Sequence, residues 1–175
     1  MQRINEVKDT TNFRATEFAC TCNTCKQLLN NYWTADQSFI NLMQKLRDFV
    51  GLPFRVTCGI RCWDQKSMHS RNACDGFFYK KVGSVIVRIP AIETALLVEE
   101  YNRKNVWDDI RNGEYEYPFN GIGIYFDNVP ENKKPLPENQ FVHLDPYLNH
   151  EFQTRRWSRI NGEYKSYREG ILYAH

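Results

Sequence analysis

Two histidines in this 175-residue sequence stand close to carboxylates, in a pattern that suits a metal centre. His69 is followed six positions later by Asp75, and His143 is followed two positions later by Asp145. Two imidazoles and one carboxylate form a common ligand set for catalytic zinc, with a fourth position open to water. Zinc lowers the pKa of that water and so supplies a nucleophile. On spacing alone, hydrogen-bonded polar pairs are the more common interpretation.

Six cysteines add a second kind of chemistry: Cys20, Cys22, Cys25, Cys58, Cys62 and Cys74. Their number leaves three interpretations open, namely buried thiols, a structural metal site, and disulfides formed after release from a reducing compartment. The group at positions 20–25, with the distant pair at 58 and 62, is a loose zinc signal, because structural sites usually contain two closely spaced cysteine pairs.

Composition and charge narrow the class of protein. Hydrophobic residues make up 42% of the sequence, which excludes a disordered chain. The 23 basic and 21 acidic residues leave a net charge of +2, so we expect no nucleic-acid partner. No apolar run reaches the ~18–20 residues that a membrane span needs. The first dozen residues do not resemble a secretory signal, so we expect synthesis in the cytoplasm.

Local patterns predict elements that would position these residues. Apolar residues at helical spacing between Thr34 and Val50 predict a helix, with Thr34 and Gln37 as a capping box and Gly51 as its stop. A second helix is predicted from Pro90 to about Arg103, with Ile92, Ala95, Leu96 and Tyr101 facing inward. Strands are predicted at 54–58, 84–89, 121–125 and 140–144, and a hairpin turns at Asn161-Gly162. The order favours a single α+β domain over residues 1–175.

Six segments, at residues 12–20, 56–61, 67–75, 121–125, 141–145 and 156–157, follow a recognisable order. In that order they resemble segments of the zinc D-Ala-D-Ala carboxypeptidase and phage endolysin family. That family shares its fold with lysostaphin-type peptidases and the hedgehog signalling domain. The segments span about residues 12–160, and residues 155–175 form a C-terminal hairpin and tail.

The resemblance implies a small antiparallel sheet with helices packed on one side, and one zinc ion. His69, Asp75 and His143 would be the zinc ligands. Arg61 would hold a substrate carboxylate or the developing oxyanion. Asp145 would orient a ligand or act as the base. The implied reaction is hydrolysis of peptide bonds in peptidoglycan stem peptides, with D-Ala linkages as the main target.

The resemblance also implies a place of action and a cysteine pairing. The protein would act in phage-associated lysis or cell-wall remodelling, at the bacterial cell wall or periplasm, or carried in a virion beside other virion proteins. In such a fold, the cysteines at 20–25 would approach Cys62 or Cys58 and form a disulfide. The oligomeric state is left open.

The sequence departs from the family pattern at the site itself. Asp75 follows His69 one position early, Asn72 replaces a glycine, and Gln140 stands where relatives carry a glutamate base. Cys58 and Ile60 replace a serine and a tyrosine. These changes keep an alternative open, in which a weakened or inactive relative binds peptidoglycan or is a structural part of a virion. A further alternative is a cysteine-ligated zinc module that binds nucleic acid through the basic tail, which the near-neutral charge disfavours.

Overall fold

The computed structural model describes residues 1–28, 31–63, 69, 71–105, 107–109, 114–129, 134–146 and 155–174. The chain divides into two compact units. The first unit consists of Met1–Gly51 and Val56–Asp75, and the second consists of Leu52–Arg55 and Gly76–His175. The fold is mixed α+β, as the sequence predicts, with a multi-stranded sheet and four α-helices among the described residues.

The first unit contains two short strands, β1 (Gln2–Arg3) and β2 (Trp33–Thr34), and two helices, α1 (Asn23–Gln27) and α2 (Gln37–Val50). Helix α2 buries one apolar face, formed by Phe39, Ile40, Met43 and Leu46. The helix ends at Gly51, whose φ of 70° is a left-handed conformation that glycine adopts at little cost. Both the helix and its stop confirm the prediction from the apolar periodicity.

The start of α2 differs from the prediction. Asp36 is the N-cap residue, while Thr34 lies in β2, which pairs with β1. The Thr34 hydroxyl donates to the carbonyl oxygen of Ala15 at 2.7 Å. The predicted capping box is therefore wrong, because this hydroxyl is used to hold a distant segment instead of the helix end.

Seven strands form one sheet, namely β3 (Phe54–Cys58), β4 (Cys74–Val82), β5 (Val85–Arg88), β8 (Gly121–Phe126), β9 (Gln140–Asp145), β10 (Arg155–Ile160) and β11 (Glu163–Ser166). Their order across the sheet is β11-β10-β8-β9-β4-β3, with β5 beside β4. A separate pair is formed by β6 (Trp107–Asp109) and β7 (Glu114–Glu116). The division between the two units falls within β3 and β4.

The expectation of an antiparallel sheet is wrong for one pair of strands. β8 pairs antiparallel with β9, and β10 pairs antiparallel with β11, but β10 runs parallel to β8. One edge of β8 is already paired with β9, so β10 is added at the other edge. The turn between β10 and β11 follows the prediction, since Asn161 and Gly162 have positive φ values of 47° and 92°.

The sheet of the second unit has two chemically different faces. Successive strand residues alternate between faces, so Arg156 and Ser158 lie on one face of β10, and Arg155 and Trp157 lie on the other. Arg156 pairs with Glu99 of helix α3 (Ala91–Lys104). Helix α4 (Tyr167–Ala174) packs against β10 on the same face. We call this the helix face and its opposite the polar face.

Helix α3 confirms the predicted span, with Pro90 as its N-cap residue. Ala95 and Tyr101 are buried as predicted, whereas the Leu96 prediction is wrong because this side chain is 57% exposed. Val98 is buried instead, three residues beyond Ala95 on the same side of the helix. None of the helices in the described residues has the length and apolar character needed to cross a bilayer.

Candidate metal sites

His69 and Asp75 come together in the first unit. Nε2 of His69 lies 3.0 Å from Oδ1 of Asp75, and Nδ1 lies 2.7 Å from the carbonyl oxygen of Gly59. A carbonyl can only accept, so Nδ1 carries a proton and Nε2 faces the carboxylate. Metal-binding histidines typically donate their second ring N–H in this way. The spacing of six positions therefore still brings carboxylate and imidazole together.

Cys58 joins this pair. The ligand atoms of Cys58, His69 and Asp75 all lie within 4.8 Å of one another. Burial opposes ionisation of the Cys58 thiol, but its hydrogen bond to His69 and the charge of His69 outweigh burial and lower the pKa. Burial likewise opposes the charged form of His69, but hydrogen bonds to Asp75 and Cys58 raise its pKa to about 10. Cys58 and His69 thus each favour the charged form of the other.

The Cys58 ligand was missed by sequence reasoning. The signal that points to it is its position at the end of β3, directly before Gly59, the residue that accepts from His69. In the family that the sequence resembles, a serine occupies this place, so the sequence alone gives no sign that the cysteine is a candidate ligand. Only the approach of β3 to the start of β4 brings its sulfur close to the ligand atoms of His69 and Asp75.

Asn72 holds the loop that precedes Asp75. Its Oδ1 accepts from the backbone N–H of Asp36 at 2.8 Å, and its Nδ2 donates to Oδ2 of Asp36 at 2.8 Å. A glycine at this position would offer neither group. The asparagine therefore fixes the loop before Asp75 to the start of α2.

A second cluster in the first unit consists of Cys20, Cys22, Cys25 and Cys62, and we call it the cysteine cluster. All four sulfurs lie within 4.8 Å of one another, a grouping that could bind a metal ion. Sγ of Cys62 lies 3.7 Å from that of Cys22 and 3.2 Å from that of Cys25. None of the six cysteines, all of which the structure describes, is in a disulfide, so the expected bridge to Cys62 or Cys58 is not formed. The approach of the 20–25 segment to Cys62 agrees with that expectation.

The cysteine cluster has an uneven electrostatic environment. The backbone N–H of Cys25 donates to the Cys22 sulfur and is the main cause that lowers the pKa of Cys22 to about 7. Burial is the main cause that raises the pKa values of Cys25 and Cys62. The Cys22 thiol therefore ionises more readily than the Cys25 and Cys62 thiols.

An open cleft of about 520 Å³ lies beside both clusters in the first unit. Cys20 and Cys22 line one part of it, and Cys58 and Arg61 line another. The Arg61 guanidinium is exposed and donates to the Cys58 sulfur at 3.7 Å, while its backbone N–H donates to the His69 carbonyl at 2.7 Å. Arg61 is thus placed where a cleft occupant with a carboxylate would meet a permanent cation.

His143 and Asp145 come together in the second unit, on the polar face. Nε2 of His143 lies 3.1 Å from Oδ2 of Asp145, and both side chains are buried. Oδ1 of Asp145 accepts a hydrogen bond from Arg155 of β10. The carboxylate therefore orients the imidazole while a guanidinium balances its charge.

Two glycines of β8 make room for this arrangement. A Cβ atom at Gly121 would lie 2.2 Å from Oδ2 of Asp145, and one at Gly123 would lie 2.5 Å from the Trp157 ring. The register places Gly123 opposite both His143 and Trp157, whose rings are 5.3 Å apart. Gly123 of β8, His143 of β9 and Trp157 of β10 therefore pack together on the polar face.

Gln140 has a structural role. Its Oε1 accepts from the backbone N–H of Ala91 at 2.9 Å, and its Nε2 donates to the carbonyl oxygen of Pro135 at 2.8 Å. The side chain is buried and needs both an acceptor and a donor. A glutamate could not donate once ionised, which explains the amide at this position.

The basic residues of the C-terminal hairpin are engaged with carboxylates. Arg156 pairs with Glu99, Arg159 with Asp127 at 2.5 Å, and Arg155 with Asp145. These pairs neutralise charge that a nucleic acid would otherwise meet, which argues against the nucleic-acid alternative.

No family model, no curated protein and no solved structure matches this chain.

Proposed function

We propose that this protein is a zinc-dependent peptidase that cleaves peptide bonds of peptidoglycan stem peptides, with D-Ala linkages as its main target. The observation that carries the proposal is the His69–Asp75 pair, in which Nδ1 is used by Gly59 and Nε2 faces the carboxylate. The similarity of six sequence segments to the peptidoglycan peptidases supplies the substrate class. It also supplies His143 as the third ligand.

The donor set fits zinc. An imidazole nitrogen and a carboxylate oxygen are ordinary zinc ligands in hydrolytic sites. The Cys58 sulfur, within 4.8 Å of both ligand atoms, is a further donor that zinc accepts. Zinc held there would polarise a carbonyl and lower the pKa of water.

The remaining residues have supporting roles in the proposal. Arg61 binds the carboxylate of a peptide in the cleft, because its guanidinium is exposed there and always charged. Gly59 fixes the His69 tautomer through its carbonyl oxygen. Asp145 acts as a positioning residue for His143, since its carboxylate is already shared between His143 and Arg155. Such an enzyme would serve phage-associated lysis or cell-wall remodelling.

The proposal is tested by measuring bound zinc and peptidoglycan hydrolysis together in the full chain. The variants are His69→Ala and His143→Ala, and His175→Ala is the matched histidine control outside the predicted ligand set. Zinc is measured by elemental analysis, and hydrolysis is measured by the release of D-alanine and of new amino groups from purified peptidoglycan. We expect each ligand variant to lose one zinc ion per chain and to lose hydrolysis, while the control keeps both.

Two results would contradict the proposal. Hydrolysis that is unchanged in His69→Ala would reject the assigned site. Zinc that depends on His69 in a protein that hydrolyses no peptidoglycan would reject the enzyme. That second result would favour the non-catalytic alternative, which a pull-down with insoluble peptidoglycan would then detect.

A further inference from the structure

We propose that the cysteine cluster is a structural zinc site, distinct from the site of the proposed peptidase. Cys20, Cys22, Cys25 and Cys62 would hold one zinc ion in a closed tetrahedral tetrathiolate arrangement. The inference does not depend on the proposed function, because none of the four residues belongs to the catalytic ligand set.

The spacing of the sulfurs fits a tetrathiolate site. Zinc–sulfur bonds of about 2.3 Å at tetrahedral angles place the sulfurs about 3.8 Å apart. Sγ of Cys62 lies 3.7 Å from Sγ of Cys22 and 3.2 Å from Sγ of Cys25. The largest separation within the set of four is 4.8 Å or less. Small adjustments of side-chain torsions therefore suffice to reach the ideal spacing.

Two backbone donors already point at sulfur atoms in the cluster. The N–H of Cys25 donates to the Cys22 sulfur, and the N–H of Cys62 donates to the Cys20 sulfur, both at 3.4 Å. Such N–H···S bonds favour a negatively charged sulfur over a thiol.

The other interpretations of the cluster explain less. A disulfide would join only two of the four sulfurs and leave two thiols packed against it. Four neutral thiols would gain little from two backbone donors that are aimed at sulfur acceptors. A divalent cation binds all four sulfurs and balances their charge, and tetrahedral thiolate sites favour zinc or iron. We assign zinc because the site is closed and needs no redox chemistry.

The proposed ion would fix one wall of the cleft. Cys62 follows Arg61, whose backbone N–H donates to the His69 carbonyl at 2.7 Å. The backbone of Ile60 donates to Phe18 at 3.2 Å, and a Cβ at Gly59 would lie 2.4 Å from the Phe18 carbonyl carbon. The chain at Phe18 and the 59–62 turn are thus in close contact already, and the N–H of Cys62 donates to the Cys20 sulfur. Zinc would lock that contact and keep Arg61 at the cleft.

Cobalt substitution tests the tetrathiolate site directly. Zinc-free full-length chain, kept reduced, is titrated with Co²⁺ alone, and the thiolate-to-cobalt charge-transfer absorption is recorded. We expect strong charge transfer in the wild type, loss of most of it in Cys62→Ser, and no change in Cys74→Ala. Cys74 is a buried cysteine of the same unit that lies outside the cluster.

A ligand-preserving variant guards against simple misfolding. Cys22→His keeps a zinc ligand at an incompletely buried position, so we expect bound zinc to remain while charge transfer falls by about one quarter. Loss of one zinc ion and of most of the charge transfer in Cys62→Ser, while His69→Ala loses the other zinc ion and keeps most of the charge transfer, would separate this site from the proposed catalytic one.

Several results would overturn the inference. One is the absence of thiolate charge transfer in the wild type, and another is charge transfer that Cys62→Ser leaves unchanged. A third is an intact mass, measured on protein purified without reductant, that lacks two hydrogens in the wild type but not in Cys62→Ser. That mass would assign the cluster to a disulfide.

Discussion

Asp145 lies two residues beyond His143 on β9, and its Oδ2 is 3.1 Å from Nε2 of that histidine. The two-residue spacing puts both side chains on the polar face, where they point the same way. Arg155 of β10, the strand on the far side of β8, binds the other carboxylate oxygen. The orientation of His143 is therefore set by two strands that are joined through β8.

Replacing Asp145 with asparagine should lower stability and weaken the proposed zinc site. The exchange removes the carboxylate charge that the Arg155 guanidinium binds, and the pair is mostly buried, with Arg155 25% exposed. We expect the free energy of unfolding to fall by up to about 3 kcal/mol. Zinc affinity should fall about 10- to 100-fold, as for other residues that orient a metal ligand.

The matched control is Asp127→Asn, which removes the Arg159 partner in the same sheet at a more exposed place. Its expected cost is about 1 kcal/mol or less. Urea unfolding and a competitive zinc titration provide the two measurements. Equal effects of the two exchanges would contradict the special role of Asp145.

Gly121→Ala should displace the Asp145 carboxylate. The added Cβ would lie 2.2 Å from Oδ2, so either the strand or the carboxylate must shift. We expect a loss of about 1–3 kcal/mol in the free energy of unfolding, typical of overpacking. Gly83→Asn is the control, because among the described residues nothing lies within 4 Å of that Cβ and asparagine tolerates its φ of 62°. A Gly121→Ala protein as stable as the control would reject the close approach.

Asn72→Ala should loosen the loop that carries Asp75. The substitution removes both hydrogen bonds to Asp36, and we expect a loss of about 1–2 kcal/mol in unfolding free energy. Asn12→Ala, at an exposed position of the same unit, should change stability by less than about 0.5 kcal/mol. Chemical denaturation measures both. Identical midpoints for the two variants would argue against an anchoring role.

Gln140→Glu should destabilise the protein without creating a better catalyst. Once ionised, the carboxylate cannot donate to Pro135 and is buried. We expect a cost of about 2–3 kcal/mol near neutral pH, and more as pH rises, because burial raises a carboxyl pKa and the charged form is penalised. Glu138→Gln, which is exposed, is the control. Higher hydrolysis rates in Gln140→Glu would show instead that the position can serve as a base.

Most elements of the fold could be predicted because their signals are local. Helix α2 follows from apolar periodicity, its end from Gly51, and the last hairpin from Asn161-Gly162. The parallel placement of β10 could not be read in this way, because it depends on which edge of β8 was still unpaired. The prediction of Thr34 as a helix cap was wrong for a related reason, because its hydroxyl donates to the carbonyl oxygen of Ala15, nineteen positions away.

The candidate sites were likewise predictable only in part. The pairing of His69 with Asp75 was predicted from the family resemblance, and so was the approach of the 20–25 cysteines to Cys62. The addition of Cys58 was not predictable, because it requires the end of β3 to meet the start of β4. The role of Asn72 was hidden for the same reason, since its partner Asp36 lies in a distant part of the sequence.

Gly121 and Gly123 of β8, which carry no side chain, also constrain which substitutions this protein can accept. The volume they leave is filled by Asp145 and Trp157, which come from the two strands on either side. A larger residue at 121 would therefore be tolerated only with a smaller one at 145, and a larger residue at 123 only with a smaller one at 157. We expect natural variants to change these positions in pairs, with the occupant of each space exchanged between strands.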